Sequence, residues 1–445
     1  MKKLVIQYRA VLVSVLFIFP LFAISQQPKI ANFRAYDKSG INVFETSKND
    51  TVKFDGLKVK WGAGFTQQFQ SLKVENPDAL NNQGVNKLRP VTTGFQTAQA
   101  NLFMDVQLTD GIKLNVTSYL SSKHHNETWV KGGYIQFDKV PFKGQFWDDF
   151  MKLATIKIGH FEVNYGDEHF RRSDGGQALY NPFMEGNIMD EFATEIGGEV
   201  YLQKNGFLGM IGITSGMIKG YVDSPSVTLV DPNAARDPSI YFKAGFDKKL
   251  DNVRVRLTGS YYHNASAGGS GLTLFGGDRS GSNYQFVMEL NSAAAASATG
   301  AGTPLAFSGR FNPGFSKKID AFMINGFVKA GGFEFFGTAE AASGRTKAES
   351  DTRKLIQYAA DAVYRFGKDE NLFVGARYNT VTARLAGFTS DITINRTALA
   401  AGWFMTKNIL MKAEIVTQKY LDYPNTSYLS SGKFNGYVIE AVVGF

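Results

Sequence analysis

Gly436-Tyr437-Val438-Ile439-Glu440-Ala441-Val442-Val443-Gly444-Phe445, the last ten residues of the sequence, alternate between two kinds of side chain. Tyr437, Ile439, Ala441, Val443 and Phe445 fall on one face. Gly436, Val438, Glu440, Val442 and Gly444 fall on the other. An extended strand sends successive side chains to opposite sides, so the stretch reads as a strand with one apolar face and one that tolerates charge. A single strand of this kind would also suit a half-buried soluble sheet.

Repetition upstream decides between the two. Val253, Val255, Leu257, Gly259 and Tyr261 alternate with Arg254, Arg256, Thr258, Ser260 and Tyr262, and Ile356, Tyr358, Ala360, Ala362 and Tyr364 alternate with Gln357, Ala359, Asp361, Val363 and Arg365. The polar face of 193–203 carries Glu195 and Glu199, and that of 97–108 carries Gln99, Asn101, Asp105 and Gln107. Trp61, Tyr364, Trp403 and Tyr437 lie near segment ends on the apolar face, where a transmembrane barrel places its interfacial girdles. The expected fold is therefore all-β: a transmembrane antiparallel up-and-down β-barrel.

Segments at 58–70, 97–108, 112–122, 128–138, 153–161, 192–203, 207–218, 239–248, 252–263, 319–330, 332–343, 354–367, 371–384, 393–405, 409–421 and 433–445 amount to about 16 strands, an even number as bacterial barrels require. Pro28, Pro77, Pro90, Pro141, Pro182, Pro225, Pro232, Pro238, Pro304, Pro313 and Pro424 all fall between them, as a closed sheet without edge strands demands. Short connections such as Asp110-Gly111 and Gly331-Gly332 alternate with long ones at 162–191, 219–238 and 264–318. Two places complicate the count. Residues 283–291 resemble a further strand which, paired with 304–311, would give about 18. The 138–152 connection is long for a turn, and Phe146-Trp147-Asp148-Asp149 suits a short helix.

Lys2, Lys3 and Arg9 precede a nearly all-apolar run from Ala10 to Phe22, then Ala23-Ile24-Ser25. This is the pattern of a signal peptide over 1–25, and the run is short of the ~18–20 residues that span a bilayer. Cleavage leaves 45 basic against 40 acidic residues, too small an excess for a nucleic-acid footprint. The 445-residue sequence has no cysteine, which excludes disulfides, a thiol nucleophile and a Cys-type lipid anchor. Residues 26–57 then form a periplasmic N-terminal extension or a partial plug, and 58–445 the barrel, with loop 162–191 folding inward and 264–318 a long extracellular loop.

The terminal strand ending in Phe445 resembles the end of bacterial outer-membrane barrels, where such a terminus implies recognition by the barrel-assembly machinery. A narrower likeness lies in Ile156 to Glu168, IKIGHFEVNYGDE. It is similar to the strand-to-loop motif of the phosphate-selective porin O and P family and its Bacteroidetes relatives, roughly apolar-x-apolar-Gly-x-Phe-Lys-x-Pro-Phe-Gly followed by an acid. Gly159, Phe161, Gly166, Asp167 and Glu168 match and Tyr165 stands for Phe, whereas Glu162 replaces Lys and Asn164 replaces Pro. The resemblance implies a 16-stranded diffusion porin with an inward-folding loop. The lost cation argues against phosphate selectivity.

A barrel of this size encloses water, so its inward side chains must be polar. Alternation assigns Lys58, Lys60, Lys113, Lys157, Lys243, Arg254, Arg256, Arg365, Arg377, Arg396 and Lys412 to the lumen. The acids assigned there are Asp105, Glu195, Glu199, Asp247, Glu340, Asp361, Glu414 and Glu440. The expected pore-lining basic set is Lys243, Arg254, Arg256, Arg365, Arg377 and Arg396. The expected constriction loop offers Glu162, Asp167, Glu168, Arg171, Arg172 and Asp174. An acidic loop facing a basic wall would set a field across the narrowest section. Arg171 and Arg172 either line that section or are solvated loop charges.

The function expected is passive diffusion of small hydrophilic solutes and ions through an outer-membrane porin of a Gram-negative bacterium, with weak ion preference. Alternatives are a phosphate- or anion-selective porin, a carrier of hydrophobic compounds plugged by Ile30, Phe33, Tyr36, Val43 and Phe44, and an adhesion role for the 264–318 loop. No enzyme, cofactor or metal is expected: His124-His125 lacks supporting ligands, His160 and His263 lack a nucleophile partner, and no hydrolase or nucleotide motif occurs. The expected partners are outer-membrane lipid and lipopolysaccharide, the barrel-assembly machinery, small hydrophilic solutes and, as an admissible assembly, a homotrimer; no nucleic acid is expected.

Overall fold

The computed structural model describes residues 27–48, 52–96, 98–120, 128–173, 178–216, 225–232, 234–268, 271–278, 280–291 and 307–445. The signal peptide expected over 1–25, His124-His125 and Asp174 lie outside these residues. Sixteen strands form the wall: β1 (Lys58–Glu75), β2 (Gln99–Thr109), β3 (Ile112–Leu120), β4 (Thr128–Phe137), β5 (Ala154–Glu162), β6 (Thr194–Lys204), β7 (Phe207–Thr214) and β8 (Ser239–Leu250), then β9 (Val253–Asn264), β10 (Lys318–Ala330), β11 (Phe333–Arg345), β12 (Arg353–Phe366), β13 (Leu372–Ala383), β14 (Ile392–Thr406), β15 (Ile409–Leu421) and β16 (Lys433–Gly444). Each pairs antiparallel with its neighbours in sequence. The ring closes where β1 pairs with β16, from Gly64 opposite Gly444 to Glu75 opposite Lys433. Phe445 exchanges main-chain hydrogen bonds with Ala63 at this seam, and its ring faces outward.

The two-residue segment Gly94–Phe95 extends β2 across a one-residue slip of register against β1. Residues 283–291 are no strand. Phe286 and Met288 sit at φ 61° and 55°, left-handed values which an extended ladder cannot absorb. Buried Tyr284, Val287 and Met288 instead pack inside the ring, so this part of the 264–318 connection folds inward rather than projecting. Even parity holds at 16. The 138–152 connection carries the helix α1 (Gln145–Met151).

The alternation separates two environments. Trp61, Tyr364, Trp403, Tyr437, Ile324 and Leu399 are exposed on the outside, while Asp105, Glu195, Glu340, Asp361, Glu414 and Glu440 are buried within. Every proline among the described residues lies off the strands, because a closed ladder leaves no N–H position vacant.

Candidate functional site: the filled half of the lumen and the cavity beside it

The loop after β5 turns into the ring at Gly166, whose φ of 70° lies in the left-handed region. A Cβ there would meet Met323 Sδ of β10 at 2.3 Å. Glycine is thus required both for the turn and for the close approach to the opposite wall. Lys243 Nζ donates to the Gly166 carbonyl at 2.7 Å, and the Gly166 N–H donates to Ser260 Oγ at 3.0 Å.

The next residue, Asp167, is the hub of the contact. Arg256 donates Nε to Oδ2 at 2.8 Å and Nη2 to Oδ1 at 2.7 Å, Lys243 Nζ stands 2.7 Å from Oδ1, and Thr258 Oγ1 donates at 2.7 Å. Burial alone would raise this carboxyl, but Lys243 and Arg256 hold it far below the usual carboxylate range. Glu45 adds a second acid, 3.0 Å from Lys243 and 2.7 Å from Arg256.

Further along, the loop is fastened to successive strands. Tyr165 donates its hydroxyl to Glu340 at 2.9 Å, and Glu168 faces Arg377 at 3.7 Å. The main-chain N–H groups of Met184 and Ile188 donate to Glu414 and Asn379 at 2.9 and 2.5 Å. Lys412 Nζ donates to the carbonyls of Ala178, Asn181 and Phe183 at 3.0 to 3.2 Å, and Arg396 to that of Gly186 at 2.9 Å. These anchors run from β8 to β15, so the loop fills that half of the lumen.

The N-terminal residues enter from the short-turn end, where the Lys38 N–H donates to the Lys407 carbonyl at 2.8 Å. Phe44 packs against Phe327 at 5.4 Å between ring centroids, Asn42 donates to Glu334 at 2.6 Å, and the Tyr36 hydroxyl donates to Asp105 at 3.0 Å.

A cavity of about 300 Å³ remains beside β2–β6. Asn32 lines both it and a space of about 900 Å³ at the short-turn end. The cavity wall includes Arg34, Phe103, Lys131, Tyr134, Lys157 and Tyr201.

Of the residues expected at the constriction, Glu162 and Arg172 line this cavity; Asp167, Glu168 and Arg171 lie within the filled half. Arg171 and Arg172 are buried rather than solvated. Arg171 stands 3.9 Å from Glu334, and Arg172 grips Asp190 through two bonds of 2.9 and 2.8 Å. The expected basic set does not border the cavity. Lys243 and Arg256 hold Asp167, Arg254 pairs with Asp247 at 2.6 Å, Arg365 with Glu334 at 2.8 Å and Arg377 with Asp361 at 2.6 Å, while Arg396 binds Gln418 at 2.7 Å. The loop acids therefore neutralise the wall by contact instead of setting a field across open water. Sequence reasoning named Phe33, Tyr36, Phe44 and Lys157 of this lining but passed over Arg34, Lys131, Phe103, Tyr134 and Tyr201, because no alternation pattern marks residues of an irregular segment or the azimuth of a strand.

Two loop carboxyls make the docking sensitive to pH. Burial pushes Glu168 up to about 7, with Arg377 opposing and Asp361 reinforcing. Burial and the facing Glu340 raise Glu191 well above the usual range, and Gln357 donates to both carboxyls of that pair, at 2.6 and 3.2 Å. A carboxyl raised by folding stabilises the docked loop below its unfolded value near 4.3 and loses that contribution as pH rises through its folded value. Conductance is thus expected to climb as pH rises through about 7, and the climb should flatten in Glu191→Gln with Glu168→Gln. A pH-independent conductance in the unaltered chain would contradict this linkage.

No protein-family model matches the sequence, and no curated protein matches it. Solved structures share its fold. An anion-selective porin from Comamonas acidovorans is 10% identical with a TM-score of 0.51, over 87% of this chain and 100% of that one. The trimer form of in-vitro folded OmpT, an outer-membrane protein of Vibrio cholerae, is 10% identical with a TM-score of 0.50, over 88% of this chain and 100% of that one. At such identity the likeness establishes the barrel.

Proposed function

We propose that the chain is a Gram-negative outer-membrane porin through which small hydrophilic solutes and ions diffuse passively along the β2–β6 side of the lumen. The observation that carries this reading is the division of the closed wall: an exterior of exposed Trp, Tyr, Leu and Ile, and an interior of charged and amide side chains beside a cavity. Short turns and the N-terminal segment would face the periplasm, and Phe445 at the seam would serve the assembly machinery. A cleaved signal at 1–25 and a homotrimer belong to the same reading. The exterior hollow over β12–β16, floored by Ala362, Ala376, Ala401 and Ala413, favours close approach of another copy.

Ion preference should be weak, since Lys243, Arg254, Arg256, Arg365, Arg377 and Lys412 are each paired with carboxylates. Refolded protein in a planar bilayer is expected to give stepwise conductance and a reversal potential near zero under a salt gradient. Absence of steps would overturn the channel; strong anion discrimination would overturn the weak preference and favour the phosphate- or anion-selective alternative. A plugged carrier is the second reading, favoured by Tyr36, Asn42 and Phe44 lying inside the ring. It requires conductance to appear only after residues 27–48 are deleted.

A further inference from the structure

The cavity beside β2–β6 holds a chemistry that diffusion of small polar solutes does not call for. Ten of its 29 lining residues are Phe or Tyr, against 13% aromatic residues in the whole sequence. Rings on a water-filled passage expose apolar faces that a solute with a matching apolar face would cover favourably.

Two cations face the same space, Arg34 and Lys157, the second within 3.6 Å of the Glu199 carboxylate. Arg34 donates Nε to the Gly40 carbonyl at 2.8 Å and Nη2 to the Phe170 carbonyl at 2.9 Å, and its guanidinium lies 3.6 Å from the Tyr180 ring centroid. These contacts orient the guanidinium but bring no formal charge, while Glu162 exerts the attraction of an acid on it. Burial lowers its pKa to about 10, which leaves it protonated at neutral pH.

Lys157 forms a long ion pair with Glu199 at 3.6 Å, and that carboxylate also accepts from the Tyr201 hydroxyl at 2.5 Å, the Tyr241 hydroxyl at 2.9 Å and the Asn164 N–H at 3.2 Å. Its ammonium stands 4.9 and 5.2 Å from the Tyr134 and Tyr201 ring centroids. Of the acids in the lining, Glu45 faces Lys243 and Arg256, and Glu162 faces Arg172 at 3.9 Å.

We propose that this cavity binds a small single-ring aromatic carboxylate, its carboxylate on Arg34 and Lys157 and its ring against the aromatic wall. Cation and ring faces lie side by side on the protein, which matches a ligand that carries an anion beside a ring. A volume of about 300 Å³ admits one ring and excludes larger fused systems. The proposal deepens the porin reading by naming a solute class that would pause in transit, although binding itself does not need flow.

Benzoate is the probe, titrated calorimetrically into the refolded full chain in detergent, with acetate and benzyl alcohol as its anionic and aromatic halves. Benzoate is expected to bind at least about tenfold more tightly than either half. Lys157→Gln should weaken benzoate about tenfold and leave benzyl alcohol unchanged. Arg34→Gln should do the same, and Arg34→Lys should recover part of the loss; an unchanged melting temperature in each variant excludes misfolding.

Benzoate binding no tighter than acetate, or equal in the unaltered chain and both neutral variants, would overturn the proposal. The same preparations in a planar bilayer separate it from the channel reading. Benzoate binding without conductance sinks the channel and leaves the site; conductance without benzoate binding sinks the site and leaves the channel.

Discussion

Asp167→Ala is expected to release the inward loop and raise single-channel conductance severalfold. The substitution leaves Lys243 and Arg256 buried with the loss of a shared carboxylate that accepts bonds of 2.7 to 2.8 Å, and Thr258 loses its acceptor as well. Removing one partner of a buried, hydrogen-bonded charge cluster costs about 3–5 kcal/mol, because the remaining charges keep their desolvation penalty without its compensation. Glu45 remains beside both cations and moderates the loss. The wall has its own complete ladder from β1 to β16, so the loop should detach before the barrel opens. Asp167→Asn keeps the shape without the charge and should fall between. Conductance and protease resistance equal to the unaltered chain would show that the loop is held by its apolar residues alone.

Ile324→Arg tests the exterior. Ile324 lies midway along β10, is 43% exposed and faces outward between Ala339 of β11 and Gly259 of β9. If that surface meets hydrocarbon, a cation at mid-depth should destabilise the barrel by about 2–4 kcal/mol, read from urea unfolding in lipid vesicles. The same change in a water-facing strand would cost a small fraction of this, since surface substitutions away from special features stay within about 0.5 kcal/mol. Equal unfolding curves would therefore remove the bilayer from around this face. Lys354→Ala, near the long-loop rim of β12, is a control expected to change little.

Particular residues show where reading the chain succeeds. Glu440 falls inward and Ile439 outward because neighbouring side chains on an extended backbone must part, whatever the rest of the molecule does. The prolines mark strand limits for an equally local reason. Residues 283–291 failed as a strand because periodicity cannot register the left-handed φ values of Phe286 and Met288.

The sequence by itself determined that this is a closed ring of an even number of strands, 16 or 18, and which side chains face its interior, since strand alternation, turn spacing and proline placement each depend on a few adjacent residues. Only the tertiary structure decided that the basic wall is covered and that open space is left beside β2–β6. Asp167 meets Arg256 across 89 positions and the Met184 N–H meets Glu414 across 230. Alternation fixes which way a side chain points, while depth and azimuth around the ring, and so the choice of partner, arise only when the wall closes and the loop settles against it.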